Sequence, residues 1–108
     1  MSTAPSGSDG IALLRRERPE VLESYLHLLG SLGKSLDPRT RQLILLALQV
    51  TQGSTRALRR HVPRAREAGA TPDEVLDAIA LALPVAGLTR VSEAVAAVED
   101  LLAEAPPA

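Results

Sequence analysis

One inward-facing histidine, two glutamines on a leucine-rich helix and a serine at a helix junction are the side chains of this chain best suited to meet a substrate. His61 stands at helical spacing with Ser54, Ala57, Leu58, Ala65 and Ala68, so its ring belongs to the apolar side of its helix. A neutral imidazole near pH 7 takes up or releases a proton, which is general acid/base chemistry. The same spacing fits a core histidine whose ring nitrogens are satisfied by a side chain or a buried carbonyl. Pro63 offers no N–H to the carbonyl of Arg59, which makes that carbonyl a candidate partner and predicts a kink just past His61. Gln42 and Gln49 lie seven residues apart on one stripe, with Gln52 three residues further on. An amide orients a substrate or hydrogen-bonds an imidazole, but it does not exchange a proton as glutamate does. The alternative is that this stripe is the helix's least buried side, or that it pairs across a subunit interface.

Ser54 reads as a helix N-cap before it reads as a nucleophile. It precedes His61 by seven residues, a separation of ~10 Å along one helix, and no acid is placed to complete a triad. As a polar group at the mouth of the helix it joins Gln42 and Gln49 as a candidate substrate-binding residue. Arg56, Arg60 and Arg64 form a stripe at intervals of four, with Arg59 and Arg66 nearby. Such a stripe attracts a carboxylate or an acidic partner face, or is solvated surface balanced by Glu67. His27 has no evident partner and is assigned to the surface. The two histidines, His27 and His61, are thirty-four residues apart and no Cys, Asp or Glu spacing joins them into a ligand set, so no metal site or cofactor is expected.

The elements that must hold these residues are helical. The 108 residues suffice for one core, and 45% of them are hydrophobic with Tyr25 the single aromatic. Leucine and alanine dominate, which favours an all-α fold of small interdigitating side chains. Six segments are expected. Asp9 caps a short helix to about Arg18, and Pro19 opens a second that carries Leu22, Leu26 and Leu29 and ends near Gly30–Gly33. Asp37-Pro38 starts a third, running to Gln52 and apolar almost all round from Leu43 to Val50. That excess of apolar surface predicts burial partly by other subunits. Gly53 ends this helix and Ser54 begins the fourth, from Thr55 to Ala68. Thr71-Pro72-Asp73-Glu74 is a capping-box start for a fifth, with Val75, Ile79 and Leu83 inward. Pro84 and Gly87 interrupt the pattern before a sixth from about Leu88 to Ala103, with Val91, Val95, Val98 and Leu102 inward.

The polar stretch 1–8 reads as a disordered leader and 104–108 as a flexible tail, leaving 9–103 as a single domain. Twelve basic and thirteen acidic residues balance to −1, which argues against a nucleic-acid or membrane-surface role. The N-terminus lacks the apolar core of a signal peptide, and the run from Leu43 to Val50 is too short to span a bilayer; the expected compartment is the cytoplasm.

From roughly Pro19 to Val98 the chain resembles the carboxymuconolactone decarboxylase and alkyl hydroperoxidase D-like family. The resemblance rests on Leu36-Asp37-Pro38-Arg39-Thr40-Arg41, the apolar helix ending in Gln52-Gly53, His61, Ala68-Gly69-Ala70-Thr71-Pro72-Asp73-Glu74-Val75 and Gly87. It implies a compact all-α bundle that forms homotrimers or hexamers. In the peroxidase-like branch the motif is a glutamate, a Cys-x-x-Cys pair and a histidine, and those positions fall here on Gln42, Ser54, Ala57 and His61. The chain has no cysteine, so a thiolate cycle on peroxide is excluded. The decarboxylase branch also lacks the pair and keeps the histidine, although it tends to carry charged residues where this chain has Ser54, Thr55 and Ala57. Two functions follow. One is cofactor-free acid/base catalysis by His61 on a small carboxylate or lactone held by Gln42 and Gln49. The other is a non-catalytic oligomeric binding or assembly module with a degenerate site.

Overall fold

The computed structural model describes residues 7–103, and all regular structure among the described residues is helical. The expected leader overlaps the first helix at Gly7 and Ser8; residues 1–6 and the expected tail lie outside the described residues. The described residues divide into two compact units, one ending at Ser35 and the other beginning at Leu36.

The first unit contains α1 (Gly7–Glu17) and α2 (Pro19–Ser31), which pack on each other. Helix α1 starts two residues before Asp9, so Asp9 is a residue of the first turn and not the cap the sequence pointed to. Pro19 occupies the first helical position of α2 as expected, because its missing N–H has no acceptor there. No residue of α2 is buried: Leu22 and Leu29 are half-buried, and Leu26 of the expected inner stripe is 55% exposed.

The second unit is built around α3 (Pro38–Gln52), which packs against α4 (Thr55–Glu67), α5 (Pro72–Ala80) and α7 (Leu88–Ala103). Asp37 caps α3, accepting from the Thr40 N–H at 2.9 Å and from the Thr40 hydroxyl at 2.9 Å. These hydrogen bonds, the backbone one foremost, hold the Asp37 carboxyl below the usual carboxylate range. Thr71 and Glu74 form the reciprocal capping box of α5, at 3.1 and 2.9 Å. The fully buried side chains Leu46, Val50, Leu58, Val62, Val75, Ile79 and Val98 make an aliphatic core to which α3, α4, α5 and α7 all contribute. Each of these larger side chains stabilises the fold by about 1.5–3 kcal/mol through burial.

Polar clamps tie the helices together at their rims. The Arg59 guanidinium grips Asp100 at 2.8 and 3.1 Å and the Ala97 carbonyl at 2.7 Å, joining α4 to α7. Arg39 reaches Glu74 at 2.8 Å, joining α3 to α5. Two further details differ from the sequence reading. Helix α5 stops at Ala80, and a separate four-residue turn, α6 (Leu83–Ala86), fills the interruption, leaving Leu83 40% exposed and not inward. Arg66 is buried and does not share the solvated surface of Arg56, Arg60 and Arg64.

Candidate functional site

The residues singled out by sequence sit on α3, on α4 and at the junction between them. Gln42 and Gln49 flank Leu46 on the stripe of α3 next to its core face, and both are partly buried. His61 lies on α4 beside the buried Leu58, Val62 and Ala65, and it too is partly buried. Helix α3 makes its most extensive packing against α4. Ser54 caps α4, its hydroxyl accepting from the Ala57 N–H at 3.2 Å. Gly53 ends α3 in the left-handed conformation with φ of 72°, its N–H turned back to the Val50 carbonyl at 3.0 Å. Only these two residues stand between the helices.

The side-chain oxygens Oε1 of Gln42 and Oε1 of Gln49 on α3 and the ring nitrogen Nδ1 of His61 on α4 are buried without a hydrogen-bond partner. Buried polar groups are nearly always paired, because each unpaired one forfeits its hydration. The carbonyl of Arg59 therefore does not satisfy Nδ1, as the alternative reading of His61 had it. Burial holds the His61 pKa below its ordinary 6.5, and the positive charges of Arg64 and Arg60 lower it further. The ring is consequently neutral at pH 7, with a lone pair free on one nitrogen to accept a proton.

Two concavities in this unit lie elsewhere. A groove of about 370 Å³ runs between α3 and α5, with Leu43, Ile44, Ala47 and Leu48 on one wall and Ala78 and Leu81 on the other. Thr40, Glu74 and Asp77 edge it with polar groups. A smaller cleft of about 180 Å³ opens beside Gly53, where the Arg90 guanidinium donates to the Thr51 carbonyl and Glu93 stands close by. Neither concavity is lined by His61, Gln42, Gln49 or Ser54. The sequence reading missed the groove, although the over-apolar run from Leu43 to Leu48 was its visible signal. Arg90 was also missed, for a guanidinium thirty-nine residues away from the carbonyl it caps leaves no local pattern.

The sequence profile of the carboxymuconolactone decarboxylase family matches residues 19–100, which include α2 through most of α7. The chain belongs to the carboxymuconolactone decarboxylase family. A relative within curated proteins is the uncharacterized protein MJ1511 of Methanocaldococcus jannaschii, 30% identical over 96 residues, covering 87% of this chain and 90% of that protein. No solved structure matches the chain. Within this carboxymuconolactone decarboxylase family member, no helix among the described residues is long and apolar enough to cross a membrane.

Proposed function

We propose that this family member carries out cofactor-free acid/base chemistry, decarboxylation or lactone chemistry, on a small carboxylate. His61 is the proton-transfer group, and Gln42, Gln49 and Ser54 position the substrate. The observation that carries this reading is that Oε1 of Gln42 and Oε1 of Gln49 on α3 and Nδ1 of His61 on α4 are buried and unpaired. A ligand offering donors to the amides and a proton to the imidazole satisfies all three. As the C–C bond to the carboxylate breaks, its electron pair passes into an adjacent unsaturated system. The His61 imidazole, having taken a proton from solvent water, delivers it to the carbon that receives the electron pair as carbon dioxide leaves, and returns to its neutral form. Arg60 and Arg64, exposed beside His61, favour an anionic substrate. The working form in this reading is a cytoplasmic homotrimer or homohexamer.

The test is turnover of small lactones and carboxylates bearing an adjacent unsaturated group, with an NMR titration of His61 alongside. Turnover lost in His61→Gln, and a His61 pKa below 6.5 that moves in Gln42→Ala, are the expected results. A His61 that never titrates and ignores Gln42, with no turnover of any candidate, sinks the reading. The second reading, a non-catalytic binding or assembly module, draws on a different observation: the two concavities lie away from His61. It gains the field if those assays fail while the protein assembles normally.

A further inference from the structure

The outer face of α4 carries positive charge that no described side chain balances. The helix holds five arginines against one glutamate, whereas the whole chain sums to −1. Arg59 grips Asp100 and Arg66 is buried, which leaves Arg56, Arg60 and Arg64 exposed at intervals of four. None of these three forms an ion pair among the described residues, and Glu67, three residues beyond Arg64, does not hold it. Other guanidinium groups of this unit are engaged within the fold, Arg39 on Glu74 and Arg90 on the Thr51 carbonyl.

Spacing gives the stripe a register. Four residues of helix rise ~6 Å, so the three side chains are rooted at that interval along one ridge ~12 Å long. A guanidinium meets a carboxylate with two parallel N–H donors in a fixed plane, which a lysine does not offer. A second helix with acidic residues at every fourth position repeats its carboxylates at the same ~6 Å interval and on one face. Nucleic acid fits less well. A duplex bears one charge per ~1.7 Å and continues past the ends of the stripe, where Glu67 and the α7 residues Glu99 and Asp100 repel it. Binding of a single strand without sequence preference relies on aromatic stacking, and the one aromatic of the chain, Tyr25, lies on α2.

We infer that the face of α4 bearing Arg56, Arg60 and Arg64 docks an acidic helix of a different protein, one with carboxylates at three successive steps of four residues. A second copy of this chain does not supply that helix, because its acidic residues nowhere fall at three such steps. The face offers no large apolar side chain, so the contact is electrostatic: quick to form, sensitive to salt and specified by the register of charge. Docking here is separate from the chemistry proposed at His61, which lies on the core flank of the same helix. Arg60 and Arg64 stand beside that ring, whereas Arg56 belongs to the docking face alone.

The probe is a labelled alanine-rich peptide of about 15 residues, long enough to hold a helix, with glutamate at three successive steps of four. Its control has the same composition with the glutamates scattered round the helix. Fluorescence anisotropy with the full chain is expected to show tighter binding of the striped peptide, lost as salt is raised. Arg56→Ala should weaken that binding by about two- to fivefold, the range of one exposed ion pair, and leave any turnover unchanged. The triple variant Arg56→Glu, Arg60→Glu, Arg64→Glu should lose the glutamate peptide and bind its lysine counterpart instead. Arg56→Ala, too mild to unfold α4, keeps the test decisive if the triple variant does not fold. Equal binding of striped and scattered peptides, no binding at low salt, or binding unmoved by these substitutions overturns the inference. So does an oligonucleotide that binds more tightly than the striped peptide, which makes nucleic acid the occupant. Docking without turnover keeps the inference and sinks the catalytic proposal; turnover without docking does the reverse.

Discussion

The unit from α3 to α7 and the α1–α2 pair are made from the same leucines and alanines, yet they use them differently. In the larger unit α3, α4, α5 and α7 enclose a core in which seven of the bulkier side chains are essentially inaccessible. In the helix pair no described residue is buried. Two helices have one contact line, and a side chain beside that line keeps one flank in water, whereas four or more helices surround a volume. The difference teaches that an amphipathic pattern specifies a face to be covered but not what covers it.

Substitution at the core sharpens this contrast most. Leu46→Ala is expected to lose about 2–5 kcal/mol of unfolding free energy through the transfer and cavity terms, measured by urea denaturation. Leu26→Ala, in dilute protein, is expected to stay within about 0.5 kcal/mol of wild type. A loss at Leu26 as large as that at Leu46, in a demonstrably single-chain species, breaks the comparison. At the next level are the joints that frame the core. Gly53→Ala forces a side chain into the left-handed region at φ of 72° and should cost about 1–2 kcal/mol. The added Cβ meets the Arg90 guanidinium at an ordinary 3.5 Å, so thermal denaturation of this variant reports backbone strain with little steric clash. Thr71→Ala removes one half of the capping box of α5 and should cost about 1 kcal/mol. A comparable loss on replacing Ser31, which only hydrogen-bonds the Leu28 carbonyl within α2, would erase the distinction between the two regions.

The smallest effect is the dependence on pH. The folded pKa of His61 lies below the ordinary 6.5, so between the two values the unfolded chain binds more protons than the folded one. The contribution of neutral His61 is therefore fully present above about 6.5 and is lost as the pH falls through the folded value. Denaturation midpoints should decline over that window in wild type and decline less in His61→Gln. An unchanged slope in the variant would mean that His61 titrates alike in both states.

The elements of the larger unit were largely legible in the sequence because their ends are chemically marked. Asp37-Pro38, Gly53, Ser54 and Thr71-Pro72-Asp73-Glu74 each satisfy terminal backbone groups through local chemistry, and each stands where expected. Leu83 was misplaced because a periodic pattern does not reveal that α5 stops at Ala80 and the chain turns again at Pro84. Arg66 joined the surface arginines on spacing alone, although its angular position on α4 is nearer Val62 than Arg56. For the candidate site, the sequence picked out Gln42, Gln49 and His61 but not that each keeps an unpaired buried atom. That property belongs to the packing of α3 on α4, where no short-range rule applies. The groove was hidden for the same reason: its two walls are contributed by segments some thirty residues apart.

The two-residue joint at Gly53 and Ser54 has a further consequence, for rotational phase. Each helix behaves as a rigid screw, and one residue added to a screw turns everything beyond it by about 100°. With no slack between α3 and α4, the angle between the glutamine stripe and the His61 ring is a property of chain length as much as of packing. A single residue inserted into α4 ahead of His61 would carry the imidazole off its flank of the core and bring the arginine face round in its place. The chain can vary the side chains around this joint freely, but it has no freedom to lengthen it.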